Sequence, residues 1–159
     1  MNKKLLVVLA GAIFAASTGT AALAQATQPI QLVGDVKLDK VSVVNGKETH
    51  ALVEPKVVVP GDHLIFSTKY HNAGAVKVDN FVVTNPIPAG IQLSADGADK
   101  LDVSVDGGKS WGKLATLKLT DDKGAVRAAQ VGDVTHVRWV VASVAPGASG
   151  VVSYNAIVR

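Results

Sequence analysis

Pro60-Gly61-Asp62-His63-Leu64-Ile65-Phe66-Ser67-Thr68-Lys69-Tyr70-His71-Asn72-Ala73-Gly74 runs on through Ala75-Val76-Lys77-Val78-Asp79-Asn80-Phe81-Val82-Val83-Thr84-Asn85 and stops at Pro86-Ile87-Pro88-Ala89-Gly90. Pro-Gly-Asp is turn chemistry: proline presets φ, glycine accepts a positive one, and aspartate bonds nearby N–H groups. After it Leu64, Phe66, Thr68 and Tyr70 fall on one side of an extended chain, and His63, Ile65, Ser67, Lys69 and His71 on the other. Period-two alternation marks a strand with one face in a core. Asn72-Ala73-Gly74 offers a second turn, and Phe81-Val82-Val83 reads as the hairpin partner of the first strand. Pro86 and Pro88 end the pairing, because proline has no N–H for a ladder.

The same grammar extends in both directions. Upstream, Val41-Ser42-Val43-Val44 and residues 48–53 flank Asn45-Gly46-Lys47. Asn45 and Gly46 both tolerate positive φ and so predict a tight hairpin. Downstream, Leu101, Val103 and Val105 alternate with polar residues into Asp106-Gly107-Gly108. Residues 114–119 and 134–141 read as strands, the second carrying Trp139. Residues 145–150 form a turn around Pro146 and Gly147, and residues 151–158 read as a closing strand. Within it Val152, Tyr154, Ala156 and Val158 face one way. That strand carries no proline and no charge before Arg159, so it is expected to be paired inside the domain. No helical period follows the N-terminal stretch. Regular short strands separated by turns predict an all-β antiparallel fold of about seven to nine strands.

Three parts of this pattern, Pro60-Gly61-Asp62, Tyr70 with Asn72-Ala73-Gly74, and residues 84–90 with Pro86, Pro88 and Gly90, resemble the bacterial "conserved repeat" family, a domain of unknown function in secreted and surface proteins. Asp106-Gly107-Gly108 before Trp111, residues 133–139 with Trp139, and Ala145-Pro146-Gly147 continue the resemblance in the same order. It covers roughly residues 58–159. It implies an immunoglobulin-like antiparallel β-sandwich and no particular chemistry. Residues 30–57 lie outside it and are expected to add a hairpin to the domain.

The N-terminus predicts the compartment. Lys3 and Lys4 precede an uncharged apolar run, and Ala22-Leu23-Ala24 follows with small residues where a signal peptidase reads. This is the pattern of a secretory signal peptide over residues 1–24. The apolar run is shorter than the roughly 20 residues that span a bilayer. No cysteine stands at the cleavage position, so a lipoprotein anchor is not expected, and residues 25–29 read as a flexible lead. The expected mature chain is one domain over residues 30–159. Losing Lys3 and Lys4 takes the formal net charge from +3 to +1. No basic run remains, which argues against nucleic-acid binding. With no cysteine at all, stability must come from the apolar core.

Four places invite a chemical reading, and each also has a structural one. Ser104-Val105-Asp106-Gly107-Gly108-Lys109-Ser110-Trp111 fits the Asp-box pattern of sialidase propellers. A propeller needs several blades, so the expected role of Asp106 is to organise its own turn. Of the histidines His50, His63, His71 and His136, His63 and His71 share a strand and lie roughly 26 Å apart, too far for one ion. Calcium at Asp106, Asp121 or Asp133 lacks the dense acidic spacing of calcium loops. Trp111 and Trp139 could form a platform, but Trp139 parallels the core tryptophan of immunoglobulin-like domains, and Trp111 is expected to cover its turn.

The sequence therefore predicts an exported, non-enzymatic module with no metal and no cofactor. Its expected role is structural or protein-binding, in the periplasm or at the cell surface. A monomer is the expected state, with another envelope protein as partner. The alternative is a subunit of a surface fibre assembled by strand exchange, with residues 31–38 as the movable strand. A secreted hydrolase is a further alternative that no motif supports.

Overall fold

The computed structural model describes residues 29–159; the expected signal peptide and most of the lead lie outside the described residues. The described residues fold into ten strands: β1 (Ile30–Val44), β2 (Lys47–Val53), β3 (His63–Asn72), β4 (Val78–Pro86), β5 (Ile91–Leu93), β6 (Asp102–Ser104), β7 (Lys118–Thr120), β8 (Val126–Ala128), β9 (His136–Val144) and β10 (Ser149–Val158). Between them lie only short 3-10 turns, at Ala98–Lys100, Leu114–Thr116 and Val131–Asp133. One sheet has the order β2-β1-β3-β10-β5, a second β4-β9-β6, and β7-β8 is a separate hairpin. Every pairing is antiparallel.

The Asn45-Gly46 turn forms as expected. Val44 pairs with Lys47, and both turn residues have positive φ, 53° and 77°. The strand before it is longer than the sequence pattern suggested. Residues 31–38 and 41–44 fuse into one 15-residue β1 that runs through Gly34 without a break. Its first part, Ile30 to Asp39, pairs with β3, and its last part, Leu38 to Val44, pairs with β2 on the other side. The added hairpin is thus the edge of the large sheet.

The parity of β3 is as read: Leu64, Thr68 and Asn72 are buried on the inner side, while His63 and Lys69 are exposed. Its partner is not. β3 pairs with β1 and β10, and β4 pairs with β9 in the other sheet. The predicted β3–β4 hairpin is therefore an arch between layers. The physical reason lies in the aromatic residues. Tyr70 and Phe81 meet with ring centroids 6.0 Å apart across the interior, which opposes two apolar faces instead of laying both on one surface. Asn85 donates to the Thr68 hydroxyl at 2.7 Å across the same gap. Trp139 of β9 packs 6.2 Å from Tyr154 of β10, itself stacked at 5.0 Å on Phe66.

Two further expectations need correction. Residues 114–119 do not form one strand: Leu114–Thr116 is a 3-10 turn and β7 begins at Lys118. Thr116 bonds the Lys113 carbonyl with both its N–H and its hydroxyl. Leu114 and Leu117, three apart, then both pack on the core. The alternating segment from Leu101 likewise reduces to the short β6, with Val103 and Val105 buried. The main core gathers Leu93, Val103, Val137, Tyr154 and Ala156 beneath the β9–β6 half of the small sheet.

Candidate functional site

The motif residues converge at opposite ends of the molecule, and at both ends they spend their hydrogen bonds internally. Asn72 is fully buried, at 0% exposure. Its amide donates to the carbonyls of Val76 and Val144, both at 2.9 Å, and its side-chain oxygen accepts from Gly74 N–H at 3.0 Å. Its backbone pairs with Ala148 and Gly147. The side chain and backbone of Asn72 thus tie the end of β3 to the end of β9 and to the β9–β10 turn, which accounts for Asn72, Gly74 and Gly147 together; Pro146 lies in that turn. Gly147 takes positive φ there. Tyr70 lies across Gly150, where a Cβ would stand 2.2 Å from the phenol oxygen.

At the other end the Asp62 carboxylate accepts from Val59 N–H at 2.8 Å. Gly61 N–H donates to the Val158 carbonyl and Arg159 N–H to the Gly90 carbonyl, both at 2.9 Å. Pro86 closes β4, and its carbonyl accepts from the Tyr154 hydroxyl at 3.4 Å. Burial pushes the Tyr154 phenol up to about 12. Pro88 opens the turn that returns to Ile91 N–H.

The Asp-box loop closes on itself. Asp106 accepts from the hydroxyls of Ser110 (2.6 Å) and Ser104 (2.7 Å) and from the N–H groups of Ser110 and Lys109. The Ser110 hydroxyl leads these donors in holding the Asp106 carboxyl well below the usual carboxylate range. Trp111 donates its indole N–H to the Gly108 carbonyl at 3.0 Å. The Arg138 guanidinium lies 4.7 Å from the Trp111 ring centroid, a cation–π contact. Its Nε is 3.8 Å from Asp102, beyond hydrogen-bond range.

The other candidates stay apart. His50 meets Asp39 at 3.0 Å, His71 meets the Ser149 hydroxyl at 2.8 Å, and His136 sits beside Thr135. Asp133 is gripped by both terminal nitrogens of Arg127, at 2.6 and 2.7 Å. That ion pair holds the Asp133 carboxyl down to about 2. Among the described residues no three His, Cys, Asp or Glu side chains are arranged to hold a metal ion.

What the motifs leave unspent is the sheet periphery. β2 is exposed at every position, and Val41, Val43, Val44, Leu52 and Val53 make the β1–β2 arm apolar as well as bare. Strand edges differ in how they are guarded. The outer edge of β2 carries Glu48 and His50. The outer edge of β4 is broken by Asn80, which has φ 51° and drops out of the register. Val103 of β6 is bridged to Gly112. The free stretch of β1 carries Asp35 and Lys37, the latter bonded to Glu54.

β10 corrects one expectation in part. It pairs along its length with β3, but with β5 only from Ala156 to Val158. Among the described residues no strand lies on the β5 side of residues 149–153. This edge has no charge and no proline, and sequence patterning missed it because pairing on one side and on both sides look alike in alternation.

Comparison with protein-family models, with curated proteins and with solved structures returns no match.

Proposed function

We propose that this chain is an exported immunoglobulin-like β-sandwich that acts by protein contact in the bacterial periplasm or at the cell surface, without catalysis. One observation carries the reading. The polar motif residues Asn72, Asp62 and Asp106 are consumed by internal bonds, while open strand edges and a bare apolar arm remain at the surface. Unpaired N–H and C=O groups with exposed valines are the equipment of strand-edge recognition. The N-terminal charge and apolar pattern supports export.

The test is photo-crosslinking in cells that express the chain with its own N-terminus. A crosslinker at Thr49, on the arm, is expected to trap a discrete envelope protein, in a chain whose mass corresponds to processing after Ala24. Retention of residues 1–24, or crosslinks only to bulk protein, would sink the proposal.

A second reading, a fibre subunit built by strand exchange, draws on β1. Among the described residues its first part pairs with β3 and with no strand on its other side. Deleting residues 25–38 is expected to abolish large assemblies if this reading holds. Light scattering that finds the same mass with and without the segment excludes it.

A further inference from the structure

We infer that the open edge of β10 at residues 149–153 is a docking site for a second copy of this chain, the two edges pairing antiparallel about a twofold axis through Val151. The inference goes beyond the protein-contact reading: its partner is a second copy, and its surface is the β10 edge, not the β1–β2 arm.

The backbone directions follow from the bonds at both ends of the strand. Asn72 N–H donates to the Ala148 carbonyl and Val158 N–H donates to the Asp62 carbonyl, so even residues of β10 address β3. Ser94 N–H bonds the Asn155 carbonyl and Arg159 N–H bonds Gly90, so odd residues address the β5 side. β5 ends at Leu93, and among the described residues no strand lies beyond Asn155 to meet the groups of Ser149, Val151 and Ser153.

Self-pairing fits this edge in particular. A twofold axis through Val151 sets Ser149 against Ser153 of the second copy and Val151 against its own counterpart. Every outward residue then meets an outward residue, which an isologous strand pair requires. No charge opposes a charge. The stretch is bounded by the Pro146-Gly147 turn at one end and by Ser94 at the other, so pairing centred on Val151 uses all three outward residues and a slip by two loses one.

The outer face adds apolar contact. Lys69 is flanked by its register partners Val33 and Val151. Val33 and Val151 are 61% and 57% exposed. They line a shallow concavity with Gln31, His71 and Ser149. Pairing would run this row on into the same row of the second copy and would merge two large sheets into one.

Sedimentation of the purified exported chain tests this up to about 1 mM, where a small interface below the standard size is still populated. Wild type is expected to shift from one domain mass to two. Val151→Glu sets like charges against each other across the axis, while within one copy the new carboxylate meets Lys69. It is expected to weaken pairing at least about tenfold with an unchanged melting midpoint. Val151→Pro removes an outward N–H that the β3 ladder does not use, and it is expected to abolish pairing. Wild type that stays at one domain mass throughout, or Val151→Glu that pairs as well as wild type, overturns the inference. The first of these results leaves the protein-contact reading to the Thr49 crosslink. A pair in solution with no envelope crosslink would retain this edge and remove that reading.

Discussion

β2 and β3 belong to the same sheet, begin after similar turns and carry comparable shares of apolar residues, yet they end in opposite environments. β3 buries Leu64, Thr68 and Asn72, and Phe66 stacks on Tyr154. β2 is exposed throughout, and Val43 opposite it is 68% exposed. The difference is a covering layer. Across β3 stand β4 and β9, which supply Phe81, Asn85 and Trp139. The arm runs past that layer. Alternation specifies a strand with two different faces, but burial needs a second surface to pack against. An isolated two-stranded arm gains little stability of its own.

The sharpest way to break the contrast is Asn72→Ala. It leaves the buried Val144 carbonyl and the part-buried Val76 carbonyl and Gly74 N–H without their partner. The expected loss is about 4 kcal/mol by chemical denaturation. A loss below about 1 kcal/mol would mean that the knot is dispensable. Phe66→Ala comes next, at about 3 kcal/mol for lost stacking and a cavity. Gly150→Ala forces the Tyr70 ring off its strand and is expected to cost about 2 kcal/mol by overpacking. Replacing Tyr70 with a smaller residue in the same chain should relieve part of that cost.

A smaller effect is expected with pH. The Asp133 carboxyl is held down to about 2 by Arg127. Its stabilisation is therefore present above its unfolded value near 4 and is lost as the pH falls from about 4 to about 2. The melting midpoint of Asp133→Asn should trail wild type at neutral pH and converge with it below about pH 2. A gap that stays constant across that window would show that the ion pair contributes nothing. The smallest effects belong to the arm and the outer face: Val43→Ala and Lys69→Ala should each cost under about 0.5 kcal/mol. If Val43→Ala costs as much as Phe66→Ala, the arm is covered after all.

Much of the fold was legible where local chemistry decides it. Asn45-Gly46 forces its hairpin because both residues accept positive φ. Asp106 organises its own loop because its donors lie within four residues of it. The inner parity of β3 and β10 followed from alternation. The arch after β3 was not legible, since a hairpin and an arch need the same turn residues and differ in which sheet receives the next strand. The 3-10 turn at Leu114 was missed because leucines spaced three apart also occur in strands flanked by polar residues. The motif Asn72-Ala73-Gly74 announced a turn but not the knot, because a side-chain partner of Asn72 lies 72 residues away.

By itself the sequence determined that the chain is β, where its turns fall and which side of the main strands is apolar. These depend on φ preferences and on a two-residue period, both carried by neighbours along the chain. Only the tertiary structure decided that β3 and β4 lie in different layers, that the valines of the arm stay in solvent, and that β10 is open beside residues 149–153. Those outcomes depend on which distant strand wins each hydrogen-bonding edge. A backbone group carries no mark of its partner, so the choice is made by the packing of side chains far apart in sequence.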